Sequence, residues 1–374
     1  MDQSGLTVDV NRAADAAVIE MRGSIRDSND GSLEGAFTQA RSQNVRDVIL
    51  DFSQVTRLAS PGVSLLVKQH ALAKTAGQRL IAVGLDEVYR RIFALTNLDR
   101  AMIVSASLSE ALATVKASTG AEQPAGSHNE RGSSLDEAVV KQREAEAGFW
   151  AAPISRIQVP EMPKEAVNVN VGGRRVVGPV LGFGPLWEKT YEVSFDAAQV
   201  TPAAAIEALK ERFPSFQPPE NRFYASAGGI KPGEVVLINA TSVGLPVYTG
   251  VVVSYADDEC FTFMTPEGHP ESGWVTFQAF AADGLTTCRI QGLARANDPV
   301  YEIAFRVHGS TVQERIWKHV LKSLNEYLGQ NGPVKMRKVC VDGTFQWSQV
   351  GNIRHNAQIW SLLYLPLLPL RRRK

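Results

Sequence analysis

The sequence has few cysteines and no long hydrophobic run, and both shortages restrict the class of protein. Only three of the 374 residues are cysteines, Cys260, Cys288 and Cys340, and they are widely spaced. An odd, scattered set fits neither a disulfide framework nor a zinc site and indicates a reducing compartment. No run reaches the roughly 18 apolar residues of a membrane-spanning helix. The first residues, MDQSGLTVDVNR, lack a basic region followed by an apolar core, so we expect no signal peptide and a cytoplasmic protein.

The sequence also lacks any charge excess. Lys and Arg total 39, and Asp and Glu total 39, so no global electrostatic argument favours nucleic acid as a partner. The histidines and cysteines show no metal-ligand spacing. The glycine pairs at 172–173 and 228–229 follow no strand-to-helix phosphate-loop pattern. We therefore expect no metal, no nucleotide and no other cofactor. The length predicts two or three domains.

The most informative segment that is present runs from Ile49 to Val67, with Ser60 at its turning point. A β-branched apolar run ending at Phe52 predicts a buried strand, and Ser60-Pro61-Gly62 opens a run with helical spacing. Serine before proline is a helix-start signal, because the hydroxyl caps an orphan amide and proline fits the first turn. The hydroxyl would then lie at the positive end of a helix, where a phosphoryl group is tolerated.

Around this segment, residues 5–117 alternate strand-like and helix-like patterns, which predicts a sheet covered by helices. The predicted strands are Ala17–Met21, Val48–Phe52 and Arg79–Val83, and the predicted helices are Asp30–Gln43, Pro61–Thr75, Val88–Leu95 and Ser107–Val115.

Five short phrases in this region resemble the STAS family, the α/β fold of bacterial anti-sigma factor antagonists. They are Gly23-Ser24-Ile25, Val48–Phe52, Ala59–Val63, Leu80–Leu85 and Leu95–Asp99. The resemblance implies regulation by contact with an anti-sigma factor or serine-kinase-like protein, in which Ser60 is the phosphoacceptor. The implied partner-binding candidates beside it are Ala59, Pro61, Gly62 and Ser64.

The chain departs from the family pattern at the serine itself. Ala59 stands where the family usually has an acidic residue, and Pro61 follows. Two interpretations of Ser60 therefore stay open. It is either a phosphoacceptor whose added negative charge weakens partner contact, or only a helix cap.

Beyond residue 117 the pattern changes. The segment 118–134 is rich in Gly, Ser and Pro, which predicts a linker, and we place the linker at 118–165. Short strands separated by turn signals then predict an antiparallel meander, followed by a long amphipathic helix over Ser310–Leu328. The expected organisation is a STAS domain at 1–117, a second domain at 166–330 and a C-terminal extension at 331–374.

The element order of the second domain, with the phrases 182–187 and 268–273, resembles the START-like (SRPBCC) helix-grip superfamily. That resemblance implies an α+β fold, with an antiparallel sheet around a long helix and a cavity for a hydrophobic small molecule. The candidate cavity residues are His269, Glu271, Trp187 and Tyr248. His269 and Glu271 are also the most plausible acid/base pair, against the alternative of a turn whose imidazole satisfies backbone groups.

The sequence ends in an apolar stretch, Ile359–Leu370, followed by Arg371–Lys374. This segment either packs on the second domain or lies on a membrane surface as a peripheral contact. Taken together, we expect a cytoplasmic bacterial regulatory protein with a ligand-binding domain and no catalytic residues. The alternative is a lipid or small-molecule carrier that uses its STAS part only for assembly; an enzyme acting through His269 ranks last.

Overall fold

The computed structural model describes residues 6–13, 15–26, 31–119, 137–242, 244–308 and 311–367. The chain divides into two compact units, Met1–Gly148 and Phe149–Lys374. Most of the Gly/Ser/Pro-rich segment 118–134, and the basic terminus Arg371–Lys374, fall outside the described residues. The division follows Gly148, whereas the sequence places a linker over 118–165.

The first unit is an α/β domain with a mixed sheet, as the sequence predicts. Its sheet has the order β1-β2-β3-β4-β5, in which β1 is antiparallel to β2 and the other neighbours are parallel. Its elements are β1 (Thr7–Ala13), β2 (Ala16–Ile25), α1 (Gly31–Ser42), β3 (Asp47–Leu58), α2 (Ser60–Thr75), β4 (Arg79–Val83), α3 (Glu87–Thr96), α4 (Leu98–Ala101), β5 (Ile103–Val104), α5 (Leu108–Thr119) and α6 (Glu137–Ala147).

The central strands form because their apolar residues are covered on both faces, as expected for parallel strands. Ile49 and Ile81 are fully buried neighbours in the register of β3 and β4. On β3, the Phe52 ring meets Phe93 of α3 edge to face, with ring centroids 5.6 Å apart. Strand β1 was not predicted, because its alternation is short and none of its side chains is fully buried.

Strand β3 is longer than its neighbour β4, and this difference shapes one edge of the sheet. Strand β4 pairs with β3 only from Asp47 to Asp51. It stops at Val83, and Gly84 turns the chain away with φ +72°. A Cβ at Gly84 would lie 2.4 Å from the Ser53 nitrogen, so the turn requires glycine. The last residues of β3 therefore have no strand beside them on the β4 side.

The second unit is built on a separate antiparallel sheet, which confirms the predicted meander. The strand order is β14-β7-β13-β12-β11-β10-β9-β8, and β6 pairs with β11. The elements are β6 (Val176–Val177), β7 (Leu186–Asp196), α7 (Pro202–Arg212), β8 (Asn221–Ala225), β9 (Val235–Ser242), β10 (Leu245–Ala256), β11 (Cys260–Pro266), β12 (Glu271–Ala282), β13 (Leu285–Ala296), α8 (Pro299–His308), α9 (Thr311–Tyr327), β14 (Lys335–Asp342) and α10 (Ala357–Tyr364), with 3₁₀ turns at Pro179–Leu181, Phe213–Phe216, Trp347–His355 and Leu365–Leu367.

Helices α7 and α9 contribute to an aromatic core on this sheet. Phe213, just after α7, contacts Phe261 and Phe277 edge to face at centroid distances of 5.9 and 5.1 Å. Phe277 in turn meets Trp317 of α9. Such rings combine large buried apolar area with favourable edge-to-face geometry, so they hold the helices against the sheet.

The C-terminal segment is part of the second unit. Strand β14 pairs with β7, and Arg295 of β13 donates to the Thr344 carbonyl at 3.0 Å and forms a buried ion pair with Asp342. Further on, the Ala357 amide donates to the Gly268 carbonyl at 2.8 Å. The predicted packing of the tail on this unit therefore holds for residues up to α10.

Replacing Gly268 by alanine tests this packing. A Cβ at Gly268 would lie 1.9 Å from the His355 carbonyl oxygen, and Gly268 has φ +88°. Gly229 has φ +71° with nothing near its missing Cβ, so Gly229→Ala is the matched control. We expect Gly229→Ala to lower the free energy of unfolding by about 1–2 kcal/mol, the usual cost of a left-handed residue. Gly268→Ala should lower it further in urea denaturation, and equal losses would contradict the packing.

Candidate functional site

The first candidate site is the beginning of helix α2. Ala59 has extended N-cap dihedrals, φ −82° and ψ 164°, so Ser60 is the first helical residue and the cap position predicted for it belongs to Ala59. Ser60 is only 3% exposed. The predicted neighbours Ala59, Pro61, Gly62 and Ser64 are buried as well.

The first turn of α2 packs tightly against the end of β2. A Cβ at Gly62 would lie 2.6 Å from Ile25 Cγ2, and the Ala59 amide donates to the Ile25 carbonyl at 3.0 Å. Pro61 has no N–H, so the turn offers an anion fewer backbone donors than a usual helix start. An incoming group can reach the Ser60 hydroxyl only if this packing opens.

The second candidate site is a cavity of about 340 Å³ in the second unit. It lies between the sheet and helices α8 and α9, and its lining is mostly apolar. The wall includes Phe263 and Val275 from the sheet and Phe305 and Trp317 from the helices. This volume is at the lower end of the range of small-molecule sites in proteins.

One side of the cavity is polar and internally paired. Lys189 Nζ donates to Glu271 Oε1 at 3.1 Å and also to Gln313 Oε1. The Gln313 amide nitrogen donates to the second Glu271 oxygen. Burial alone would raise the pKa of Glu271, but Lys189, His269 and Gln313 together hold it below its usual value. The carboxylate is thus ionised at neutral pH and fixed in position.

His269 lies beside this cluster and bonds to backbone. Its Nδ1 lies 3.1 Å from the Glu271 amide nitrogen and 3.0 Å from the Glu271 carbonyl oxygen, so in either tautomer this nitrogen bonds to backbone. Burial lowers the pKa of His269, while the nearby Glu271 opposes the shift, and the ring is neutral at pH 7. This geometry agrees with the alternative of an imidazole that satisfies a turn.

Two of the four predicted cavity residues line the cavity, and two lie elsewhere. His269 and Glu271 are at the wall, whereas Trp187 and Tyr248 are not among its lining residues. The Trp187 ring instead lies under Lys338 Nζ at 4.7 Å, and the Tyr248 amide donates to Ser361 Oγ at 2.8 Å. Their aromatic character indicated a cavity wall, but large rings serve equally well in packing against a strand or helix.

Lys189 and Gln313 were not predicted. Lys189 precedes Tyr191 by two positions on β7, so both side chains lie on the same face of the strand. A lysine on the apolar face of a strand indicates a buried partner, and the sequence alone shows this pattern. Gln313 lies in the first turn of α9, a helix that the sequence does predict, but its partners on β7 and β12 depend on the tertiary fold.

Two features are absent from the described residues, a metal-ligand cluster and a membrane-spanning helix. In the described ranges, no group of three or more His, Cys, Asp or Glu side chains is placed to hold a metal ion. Of the helices within those ranges, none has both the length and the apolar character required to cross a membrane.

Comparison with known proteins identifies the class of the first unit. Residues 8–105 match the protein-family model described as "Mlab, STAS domain". The first unit therefore contains a STAS domain, and the match covers less than half of the chain.

Solved structures add neighbours at low identity. An anti-sigma factor antagonist from Mycobacterium paratuberculosis is 23% identical, with 31% of this chain and 97% of that chain covered and a TM-score of 0.28. The Bacillus cell fate determinant SpoIIAA in its phosphorylated form is 19% identical, with 29% and 99% covered and a TM-score of 0.23. Ara h 8.0201 is 20% identical, with 38% and 99% covered and a TM-score of 0.28.

The partly buried imidazole of His269 makes the stability of the second unit pH-dependent. Because burial lowers the pKa of His269 below its ordinary 6.5, the unfolded chain binds a proton in acid more readily than the folded chain. The contribution of His269 is therefore complete above pH 6.5 and is lost as pH falls below that value. We expect His269→Asn, which can still accept from the Glu271 amide, to weaken the loss of stability between pH 7 and 5. If the free energy of unfolding changed by the same amount in the variant and in the parent across this range, His269 would not be the source of the pH dependence.

Proposed function

We propose that this chain is a regulatory protein whose STAS domain binds an anti-sigma factor or serine-kinase-like partner. The observation that carries the proposal is the STAS domain over residues 8–105, with Ser60 at the start of α2. The neighbour SpoIIAA has been solved in a phosphorylated form, which supports looking for the same chemistry here. A cytoplasmic location, suggested by the cysteine usage, belongs to the same proposal.

In this proposal Ser60 is the phosphoacceptor and the surface around α2 is the partner contact. Ser60, Gly62 and Ser64 are buried, so a kinase must first open the first turn of α2. A phosphoryl group would then add nearly two negative charges and prevent the turn from repacking against Ile25. The surface around the start of α2 would then no longer fit the partner.

A pull-down with the full chain tests this switch. Ser60→Asp should reduce partner recovery at least about ten-fold, because roughly 1.4 kcal/mol of lost contact corresponds to that factor. Ser60→Ala should retain the partner. Ser109, exposed in the first turn of α5, gives the matched control Ser109→Asp, which should also retain it. Equal recovery by all three variants would remove the switch.

We propose as a second function that the C-terminal unit is a helix-grip domain that binds a hydrophobic small molecule. The observation that favours it is the mostly apolar cavity with one paired polar side, Lys189, Glu271 and Gln313. A molecule with an apolar body and one hydrogen-bonding group suits this lining. If this were the main function, the STAS domain would serve assembly alone.

Gly292 provides a direct test of the cavity. It lies in the lining, and a Cβ built on it would have as its nearest neighbour the Lys189 carbonyl at 4.0 Å, so a larger side chain there fills the cavity. We expect native mass spectrometry to detect a co-purified small molecule on the parent chain and none on Gly292→Leu. Gly343→Leu, at an exposed position with open space, is the control and should keep the ligand. An empty parent cavity would contradict the proposal.

The proposal extends to peripheral membrane contact by the C-terminal segment. On α10, Trp360 is 44% and Leu363 62% exposed, and the sequence continues into the basic residues 371–374. Exposed apolar side chains followed by positive charge suit an acidic lipid surface.

A further inference from the structure

Helix α6 attaches to the first unit through one fully buried arginine. Arg143 is 0% exposed, and its Nε donates to the Val55 carbonyl at 2.8 Å. Its two terminal nitrogens donate to the carbonyls of Gly84, at 3.3 Å, and of Phe52. Every nitrogen of the guanidinium thus has a backbone acceptor in the STAS domain.

A carboxylate and an aromatic ring complete this site. Asp86 Oδ2 lies 3.1 Å from the Arg143 Nη1, while Asp86 Oδ1 accepts from the Tyr89 amide at 2.9 Å and caps α3. The guanidinium carbon lies 4.1 Å from the centroid of the Tyr89 ring. The planar, delocalised arginine head satisfies all of these contacts at once, whereas a lysine ammonium has neither the fork nor the flat face. These contacts therefore suit an arginine better than a lysine.

The acceptors exist without α6, because they follow from the sheet. Strand β4 stops pairing at Asp51, so the Phe52 and Val55 carbonyls lie where β3 has no strand on the β4 side. Buried carbonyls need donors, and a helix bringing several N–H groups on one side chain supplies them.

The rest of α6 contributes few buried contacts. Val139 and Arg143 are its two buried side chains, and Arg57 pairs with Glu146 at 2.9 Å. A helix of this length is marginal by itself in water, so its formation depends on the site. Because α6 belongs to the same chain as the site, it competes as an intramolecular occupant. Helix α6 is therefore held at the site by few contacts, so it can also be displaced.

The site lies at the functional edge of the domain. Strand β4 ends there beside the last residues of β3, and α2 and α3 start from the same end of the sheet. Arg57, which pairs with α6, precedes Ser60 by three residues.

We propose that this edge of the STAS domain is an arginine-binding site, which Arg143 occupies within the chain and which an arginine on a partner's helix enters when α6 leaves. The partner role rests on the proposed regulatory function, whereas the site itself does not. Helix α6 then competes with the partner, and the chain binds in trans only when α6 is displaced.

The chain's own helix is the probe for this site. A fluorescein-labelled peptide with the sequence of residues 135–148 is titrated into the full chain and followed by anisotropy. The Arg143→Ala chain, in which the site is vacant, should bind it at least about ten-fold more tightly than the parent, whose tethered α6 competes at high effective concentration. Lys141→Ala, at an exposed position of the same helix, should behave as the parent.

Two further arms decide the role of arginine. The same peptide with alanine in place of Arg143 should bind the vacant chain at least about ten-fold more weakly, since buried charged hydrogen bonds are among the strong ones. Val139→Asp loosens α6 while keeping every acceptor, so this chain should also bind the parent peptide. Equal binding by the two peptides, equal binding by parent and vacant chains, or unfolding of both Arg143→Ala and Val139→Asp would overturn the proposal. Loss of the Ser60 switch would leave these results unchanged.

Discussion

The first unit depends on a mismatch in strand length. Strand β3 continues to Leu58, whereas β4 stops at Val83, where Gly84 turns the chain close against Ser53. Carbonyls at the end of β3 then require donors from outside the sheet, because an unsatisfied buried carbonyl costs about 1–3 kcal/mol. Arg143 and the Tyr89 hydroxyl both donate to Val55. The same carbonyls that complete the fold thus create a site for a cationic side chain.

A charge so deeply placed is stable only while all its partners stay in position. Removing one partner of a buried ion pair costs far more than a surface pair contributes. Asp86 serves both as the N-cap of α3 and as the counter-ion of Arg143. Displacement of α6 therefore changes the charge at the start of α3, which connects occupancy of the site to the edge where a partner would bind.

In the second unit, charged side chains at the cavity wall are paired with each other. Lys189 and Glu271 face the cavity but satisfy each other and Gln313, so the wall holds fixed charges without exposing an unpaired one. The remaining wall is apolar. Such a lining favours binding and orientation, and the His269 ring beside it bonds to the Glu271 backbone.

The sequence predicted those elements whose periodicity and turn residues lie within the element itself. The strand around Phe52, the helix after Ser60 and the meander of the second unit follow from periodicity and turn residues. No strand was predicted at β1 or β14, which are edge strands with few buried side chains. Local patterns also failed to predict the Arg143 site. Arg143 lies in a charged stretch that resembles any solvated helix, and only the tertiary fold brings the Phe52, Val55 and Gly84 carbonyls to it.

Of the residues predicted to line the cavity, His269 and Glu271 lie at its wall, whereas Trp187 and Tyr248 do not. The cap at Ser60 was displaced by one residue to Ala59, because proline fits either of the first two helical positions. Helix boundaries shift by that much routinely, but here the shift moves the hydroxyl from the helix entrance into the first turn.

Amide hydrogen exchange on the full parent chain tests whether α6 occupies the edge of the STAS domain. If it does, amides of α6 exchange well below random-coil rates, and in Arg143→Ala they and the amides of 52–57 lose protection together. Random-coil exchange across α6 in the parent chain, or protection of α6 unchanged by Arg143→Ala, would contradict it.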